Sequence, residues 1–248
     1  MSRILGIIPA RYGSTRFPAK ALADIAGKSM IQRVWEQASK ASCLSEVLVA
    51  TDHPEIYSHV EAFGGKVAMT REDHQSGTDR CFEAYQQSGI AADFIINIQG
   101  DEPFIDPTQI DLLGKVLSKD TALATLALPL YDKDSLFNPN VVKVVLAGNG
   151  EALYFSRAAL PYQRNAPEDE WISKGNYFKH IGIYGYRSDV LTAITKLPVS
   201  PLEAAESLEQ LRWLDAGYRI KVAITEQESH GIDTPEDLER VLKLHSLL

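Results

Sequence analysis

Three cations, Arg11, Arg16 and Lys20, stand within ten residues in the segment Pro9-Ala10-Arg11-Tyr12-Gly13-Ser14-Thr15-Arg16-Phe17-Pro18-Ala19-Lys20, which carries no acid. Gly13, Ser14 and Thr15 are small, so their backbone N–H groups can approach an anion closely. Arginine offers a fork of donors and lysine a point charge, a combination that suits a triphosphate. The same composition also serves in a solvated basic turn.

Gln99-Gly100-Asp101-Glu102-Pro103 follows directly on the apolar run Phe94–Ile98. A carboxylate there can hold a hard cation, and Mg²⁺ is bound through one or two carboxylates plus phosphate oxygens and water. Asp233, in Gly231-Ile232-Asp233-Thr234-Pro235, is a candidate second carboxylate. Asp101 in a plain acidic turn, and Asp233 complementing a helix N-terminus, are the competing structural roles. The polar stretch from Asp73 to Arg80 suits a ribose or base edge.

Several chemistries find no support. The dinucleotide fingerprint G-x-G-x-x-G is missing, and Gly27-Lys28-Ser29 has a P-loop ending but Leu22 where the first glycine belongs. The six histidines show no metal-ligand spacing, and only His180, four residues before Tyr184, reads as aimed at a partner. Ser156 lacks the G-x-S-x-G setting of a hydrolase nucleophile.

The elements that must position these residues alternate. Ile4–Ile8, Val47–Ala50, Lys66–Met69, Phe94–Ile98 and Ala122–Leu128 read as strands. Between them, Glu55–Phe63, Thr78–Gln87 and Pro107–Leu117 read as helices, and Met30, Ile31, Val34, Trp35 and Ala38 share one helical face. Such alternation predicts an α/β fold, a doubly wound, mostly parallel sheet of Rossmann-like type. Ligands then sit outside the carboxyl ends of the strands where strand order reverses. With the first and fourth strands adjacent at that point, the basic loop and Asp101 face one crevice.

Beyond about residue 130 the rhythm changes. Val141–Leu146 and Ala152–Ser156 flank a hairpin signal at Ala147–Gly150, and Lys179–Arg187 alternates as a strand. Arg164–Lys174 is polar and irregular, a mobile loop or an arm toward a partner chain. Pro201–Leu214 reads as one helix, with Leu202, Ala205, Leu208 and Leu211 spaced by three; Tyr218–Ile224 is a last strand, and Thr234 caps a final helix with Pro235 in first position. The reading is one α/β domain over residues 1–248 with a smaller β-rich insertion at about 131–187.

Composition is that of a globular protein: 248 residues, 45% apolar and 23% charged. Twenty-five Lys and Arg against 33 Asp and Glu give a net charge of −8, which argues against nucleic acid and anionic membranes as partners. Cys43 and Cys81 are too few for a disulfide scaffold and read as reduced thiols. No apolar run approaches the roughly 18–20 residues of a membrane span, and the start reads as a strand, so a cytoplasmic location is expected.

Taken together, these segments closely resemble the 3-deoxy-manno-octulosonate cytidylyltransferases, or CMP-Kdo synthetases, nearly end to end. The likeness rests on the Pro9–Lys20 loop, Ala50–His53, His74–Asp79, Gln99–Pro103, Asn138–Val145, Leu153–Arg157, His180–Arg187, Leu208–Arg212 and Gly231–Asp237. Phe17, where the family has Leu, is the main departure. The resemblance implies the reaction CTP + Kdo → CMP-Kdo + pyrophosphate with Mg²⁺, supplying lipopolysaccharide biosynthesis. It implies that Arg11, Arg16, Lys20 and Asp101 carry the transfer, and that Asp101 and Asp233 bind the metal. Pro9, Ala10, Ser14, Ser76 and Gly77, with the three cations and Asp101, would contact the nucleotide. Gln99, Arg157, His180, Tyr184, Glu209 and Gln210 would line the Kdo pocket, Arg157 facing the sugar carboxylate. A homodimer is implied, with the segment around Arg164–Tyr177 as candidate contact. The nearest competing expectation is the same chemistry on another acid sugar, as in CMP-sialate synthesis. A nucleotide-sugar glycosyltransferase would need D-x-D where this chain has Gln99-Gly100-Asp101, and a non-catalytic CTP-binding regulator would not need Asp101 and Asp233.

Overall fold

The computed structural model describes residues 2–13 and 16–245. Strand β1 (Ile4–Ala10) is buried at all but one position, as its unbroken apolar run requires of a parallel strand covered on both faces. In chain order there follow the two-residue strands β2 (Asp24–Ile25) and β3 (Lys28–Ser29), α1 (Met30–Ala38), β4 (Glu46–Thr51), α2 (Pro54–Ala62), β5 (Lys66–Met69), α3 (Gly77–Ser88), β6 (Phe94–Asn97) and α4 (Pro107–Val116). The described residues up to Gly114, with those from Ser229 onward, form one compact unit; Lys115–Glu228 form another.

In the first unit β1 pairs in parallel with β4 and with β6, and β4 pairs in parallel with β5. The order β6-β1-β4-β5 runs outward from β1 and then returns to its other side. The reversal between β1 and β6 is where a ligand is expected. Helix α1 buries Met30, Ile31, Val34 and Ala38, the face its periodicity predicted. Its cap is Ser29, whose Oγ accepts from the Gln32 N–H at 3.2 Å.

The second unit contains β7 (Leu123–Pro129), α5 (Lys133–Phe137), β8 (Lys143–Leu146), β9 (Ala152–Ser156), α6 (Trp171–Lys174), β10 (Phe178–Arg187), α7 (Ser188–Ile194), α8 (Pro201–Glu206), α9 (Gln210–Asp215) and β11 (Ile220–Ile224). Strand β7 pairs in parallel with β11 and antiparallel with β10. Strands β8 and β9 form the expected hairpin, and β8 also pairs with β10. The chain then re-enters the first unit through α10 (Pro235–Leu244), whose N-terminus is a capping box of Thr234 and Asp237 with Pro235 in the first turn. The protein is thus mixed α/β with a largely parallel sheet.

Two expectations are corrected. Pro201–Leu214 is two short helices, because Ser207 takes a left-handed conformation at φ 53° and its N–H closes on the Glu203 carbonyl at 2.7 Å. A spacing of three drifts around a helix of 3.6 residues per turn, and the break re-registers it. Helix α8 therefore buries no residue, while α9 buries Gln210, Leu211 and Trp213. Arg164–Lys174 is also not wholly irregular. A 3₁₀ turn at Glu168–Glu170 leads into α6, and Trp171 is buried with Leu130, Leu136 and Tyr177.

Both cysteines are free thiols. Burial, with Asp111 beside it, pushes the Cys43 thiol up to about 12, so it stays protonated and poorly nucleophilic. No helix among the described residues is long and apolar enough to cross a membrane.

Candidate functional site

The reversal between β1 and β6 opens into a cleft of about 190 Å³ lined by Pro9, Ala10, Arg11, Arg16, Lys20, Ala21, Gln99, Gly100, Asp101 and Asp233. The carboxyl end of β1 delivers Arg11. Lys20 opens a 3₁₀ turn, Lys20–Leu22, tied by its N–H to the Phe17 carbonyl at 3.2 Å. Phe17 packs against the buried cluster of Ile25, Met30, Ile232 and Val241, so the ring that stands where Leu was expected is absorbed by apolar packing. On the opposite wall Gly100 lies against β1: a Cβ there would stand 2.6 Å from the Pro9 carbonyl oxygen, so only glycine permits the approach.

Asp233 reaches the cleft because the Ile232 N–H donates to the Asp101 carbonyl at 2.9 Å, laying the two acidic segments side by side. Lys20 Nζ donates to Asp101 Oδ2 and to Asp233 Oδ1, each at 2.9 Å, and Arg16 Nη2 donates to Asp233 Oδ2 at 3.0 Å. Burial opposes the charge on Lys20, but Asp101 and then Asp233 outweigh it and hold the ammonium above its ordinary value. Burial likewise works against the Asp233 carboxylate, and Lys20 and Arg16 overcome it, holding the group below the usual range. Two cations and two anions therefore balance. Arg16 is 66% exposed and Asp233 46%, so that pair is worth at most about 1 kcal/mol and exchanges readily for a stronger anion.

One ammonium within reach of both carboxylates shows that a single small cation can contact Asp101 and Asp233 together. Hard carboxylate oxygens suit Mg²⁺. Among the described residues no group of three or more His, Cys, Asp or Glu could hold a metal.

The other residues expected at a nucleotide divide. Ser14 lies outside the described residues. Ser76 is committed to the cap of α3, its Oγ accepting from the Asp79 N–H at 3.1 Å and donating to Asp79 Oδ2 at 3.0 Å. Gly77 lies beside Pro9, where a Cβ would come 3.4 Å from Pro9 Cγ.

The remaining residues expected at the sugar belong to the second unit, with Gln99 in the first. Arg157, just past β9, is gripped by Glu206: its N–H meets Glu206 Oε2 at 2.9 Å and its Nε meets the Glu206 carbonyl at 2.7 Å. Its Nη1 donates to the Pro139 carbonyl at 3.0 Å. His180 on β10 meets Thr125 Oγ1 at 3.0 Å, and burial pushes its imidazolium down to about 3. The His180 ring lies edge-on to Phe155 and beside Tyr184, whose ring in turn meets Trp213 of α9 at 5.1 Å. That contact brings α9, with Gln210, and Glu209 just before it, to the same side chains. Burial raises the Tyr184 phenol well above its ordinary value, leaving it a neutral hydroxyl.

Sequence reasoning passed over three supporting residues. Lys143 is fully buried and donates to the carbonyls of Asn138, Val141 and Arg157 at 2.9, 2.5 and 2.7 Å. A lone lysine inside Val141-Val142-Lys143-Val144-Val145 was the available signal. Asp52 and Arg80 form a buried pair at 2.8 Å; each sits in a segment that reads only as polar turn or helix entry.

The cytidylyltransferase family profile matches residues 5–222. A 3-deoxy-manno-octulosonate cytidylyltransferase of Parabacteroides distasonis is 57% identical over 247 residues, covering 98% of each chain. The protein of the same name from Cytophaga hutchinsonii is 56% identical and covers 96% of each. Among solved structures, a CMP:2-keto-3-deoxy-manno-octonic acid synthetase complexed with CTP matches with a TM-score of 0.92 at 46% identity over 99% of both chains. A 4-diphosphocytidyl-2C-methyl-D-erythritol synthase from Anaerococcus prevotii, 11% identical with a TM-score of 0.63, shares the fold alone.

Proposed function

From the premise that this chain belongs to the cytidylyltransferase family, we propose that it activates Kdo with CTP, giving CMP-Kdo and pyrophosphate. The observation that carries the reading is the full-length match to relatives of that name, at 57% and 56% identity. The cleft supplies its chemistry: three cations and two carboxylates at the reversal of the sheet.

In the reaction the anomeric hydroxyl oxygen of Kdo forms a bond to the α-phosphorus of CTP. The bond from that phosphorus to the β-bridging oxygen breaks, pyrophosphate leaves, and the hydroxyl proton passes to solvent. Such a transfer asks the protein for position and charge neutralisation more than for covalent chemistry. Arg11, Arg16 and Lys20 hold the triphosphate, and Lys20 and Arg16 exchange their carboxylate partners for phosphate oxygens. Pro9, Ala10, Ser14, Ser76 and Gly77 border the nucleoside, with Ser76 offering backbone because its hydroxyl serves the helix cap.

The divalent cation of such enzymes is Mg²⁺ on our reading, held by Asp101 and Asp233; when bound it neutralises charge on the reacting phosphates. Arg157 meets the sugar carboxylate, while Gln99, His180, Tyr184, Glu209 and Gln210 face its hydroxyls. With its imidazole neutral over the physiological range, His180 offers a hydrogen bond and no charge. We place the enzyme in the cytoplasm as a homodimer, its contact around Arg164–Tyr177.

The test is to offer the purified protein CTP and Mg²⁺ with Kdo or with sialic acid and to measure pyrophosphate. Kdo-dependent release is expected. Release with sialic acid alone would overturn the substrate assignment, and release with neither would overturn the activity.

A further inference from the structure

The segment between Arg11 and Lys20 contains no helix or strand among its described residues, yet its cations must meet a triphosphate at fixed distances. Arg11, Gly13 and Arg16 are exposed, and a Cβ on Gly13 would touch nothing within 4 Å. Two residues of this bow are anchored instead. Phe17 is held by the apolar cluster that includes Ile25 and Met30. Tyr12, next to Arg11, is held twice from the far side.

First, the Tyr12 N–H donates to Asp52 Oδ1 at 3.0 Å. Second, the Tyr12 ring lies on the His53 imidazole, centroids 3.7 Å apart and planes 14° from parallel. Asp52 and His53 follow β4, the neighbour of β1. Asp52 is in turn fixed from behind, its Oδ2 accepting from Arg80 Nη2 at 2.8 Å. Arg80, 3% exposed, donates its Nη1 to Thr70 Oγ1 at 2.6 Å and to the Arg71 carbonyl at 3.2 Å. Burying that guanidinium costs free energy that its partners must return, and what the pair adds is a carboxylate aimed at one backbone N–H of the basic loop.

We propose that Asp52, backed by Arg80, and His53 form a clamp on Tyr12 that positions the basic loop for CTP, so that all three are positioning residues for nucleotide binding. The clamp rests on the reading that this loop holds CTP. It predicts a loss confined to the nucleotide, since the loop it holds carries Arg11 and Arg16, the cations assigned to the triphosphate.

Asp52→Ala, His53→Ala and His53→Phe in the full-length enzyme test it. Expected for Asp52→Ala is CTP binding weaker by about tenfold or more, the size of a lost charge-assisted hydrogen bond, with KM for Kdo within about twofold of wild type. His53→Ala should weaken CTP binding several-fold and His53→Phe, which keeps the stacked ring, should restore it. Hydrogen exchange at the Tyr12 amide should speed up in Asp52→Ala whatever ligand is present. Unchanged CTP affinity in folded variants, equal effects on both substrates, or an unaltered Tyr12 exchange rate would each overturn the clamp. Should Asp52→Ala strand Arg80 and fail to fold, the His53 pair carries the test, because its ring lies at the start of α2 and strands no charge. A wild-type protein that binds no CTP would instead refute the functional reading, and exchange at Tyr12 would still decide the clamp.

Discussion

Lys20 Nζ lies 2.9 Å from Asp233 Oδ1, a contact that closes across 213 residues of sequence. The same ammonium holds Asp101, so the protein's own cation lies between the two carboxylates proposed above for the divalent cation. On that proposal metal and triphosphate would take opposite members of one set, the metal the carboxylates and the phosphates the lysine. Each ligand removes the partner that opposes the other, and linkage makes the effect reciprocal.

Lys20→Met should therefore tighten metal binding to the free enzyme while weakening CTP. Unit charges about 4 Å apart interact by several kcal/mol in a protein-like dielectric, and about 1.4 kcal/mol is tenfold. Mn²⁺ titration followed by electron paramagnetic resonance should show at least a roughly tenfold gain over wild type. An affinity equal to or below wild type would show that Lys20 does not occupy the site.

Arg16→Ala should weaken CTP binding by about tenfold and leave Kdo untouched. The side chain is two-thirds exposed and its bond to Asp233 is a surface pair, which limits the loss to about 1–2 kcal/mol. Calorimetric titration with CTP, beside KM for Kdo, reads the difference. Equal losses for both ligands would reassign the loop to the sugar.

The charged residues of the cleft were legible in the sequence and their supports were not, for one physical reason. Arg11, Arg16, Lys20, Asp101 and Asp233 sit on turns after or between apolar runs, so their positions announce themselves. Their mutual geometry depends on contacts that sequence does not display: the Ile232 N–H on the Asp101 carbonyl and the approach of Gly100 to Pro9. The alternation of strands and helices predicted the order of elements well, because burial on both faces enforces apolar runs. It missed the division of Pro201–Leu214, where one left-handed serine decides between one helix and two. It also passed over Trp171, whose burial beneath a polar segment depends on Leu130 and Leu136, 41 and 35 positions earlier.

Lys143→Met should separate the two substrates in the other direction. The ammonium gathers three carbonyls, one belonging to Arg157, and leaving them unpaired costs about 1–3 kcal/mol each before the relief of an unburied charge. A lower Tm is expected together with a raised KM for Kdo and an unchanged KM for CTP. A fall in Tm with both KM values at wild type would confine Lys143 to stability.

Acid should destabilise the enzyme through His180. In the folded protein burial pushes this imidazole down to about 3, whereas an unfolded histidine titrates near 6.5. Between those values the unfolded chain binds a proton that the folded chain refuses, so stability is full above about pH 6.5 and declines as pH falls toward 3. His180→Phe removes the titration and should flatten this part of the curve by up to one proton, while losing the contact with Thr125 at 3.0 Å and so starting from a lower stability at pH 7. Urea unfolding at pH 7, 6, 5 and 4 measures both quantities, with the proton uptake on unfolding taken from the slope. Parallel curves for wild type and variant across that range would mean that His180 accepts its proton in the folded state.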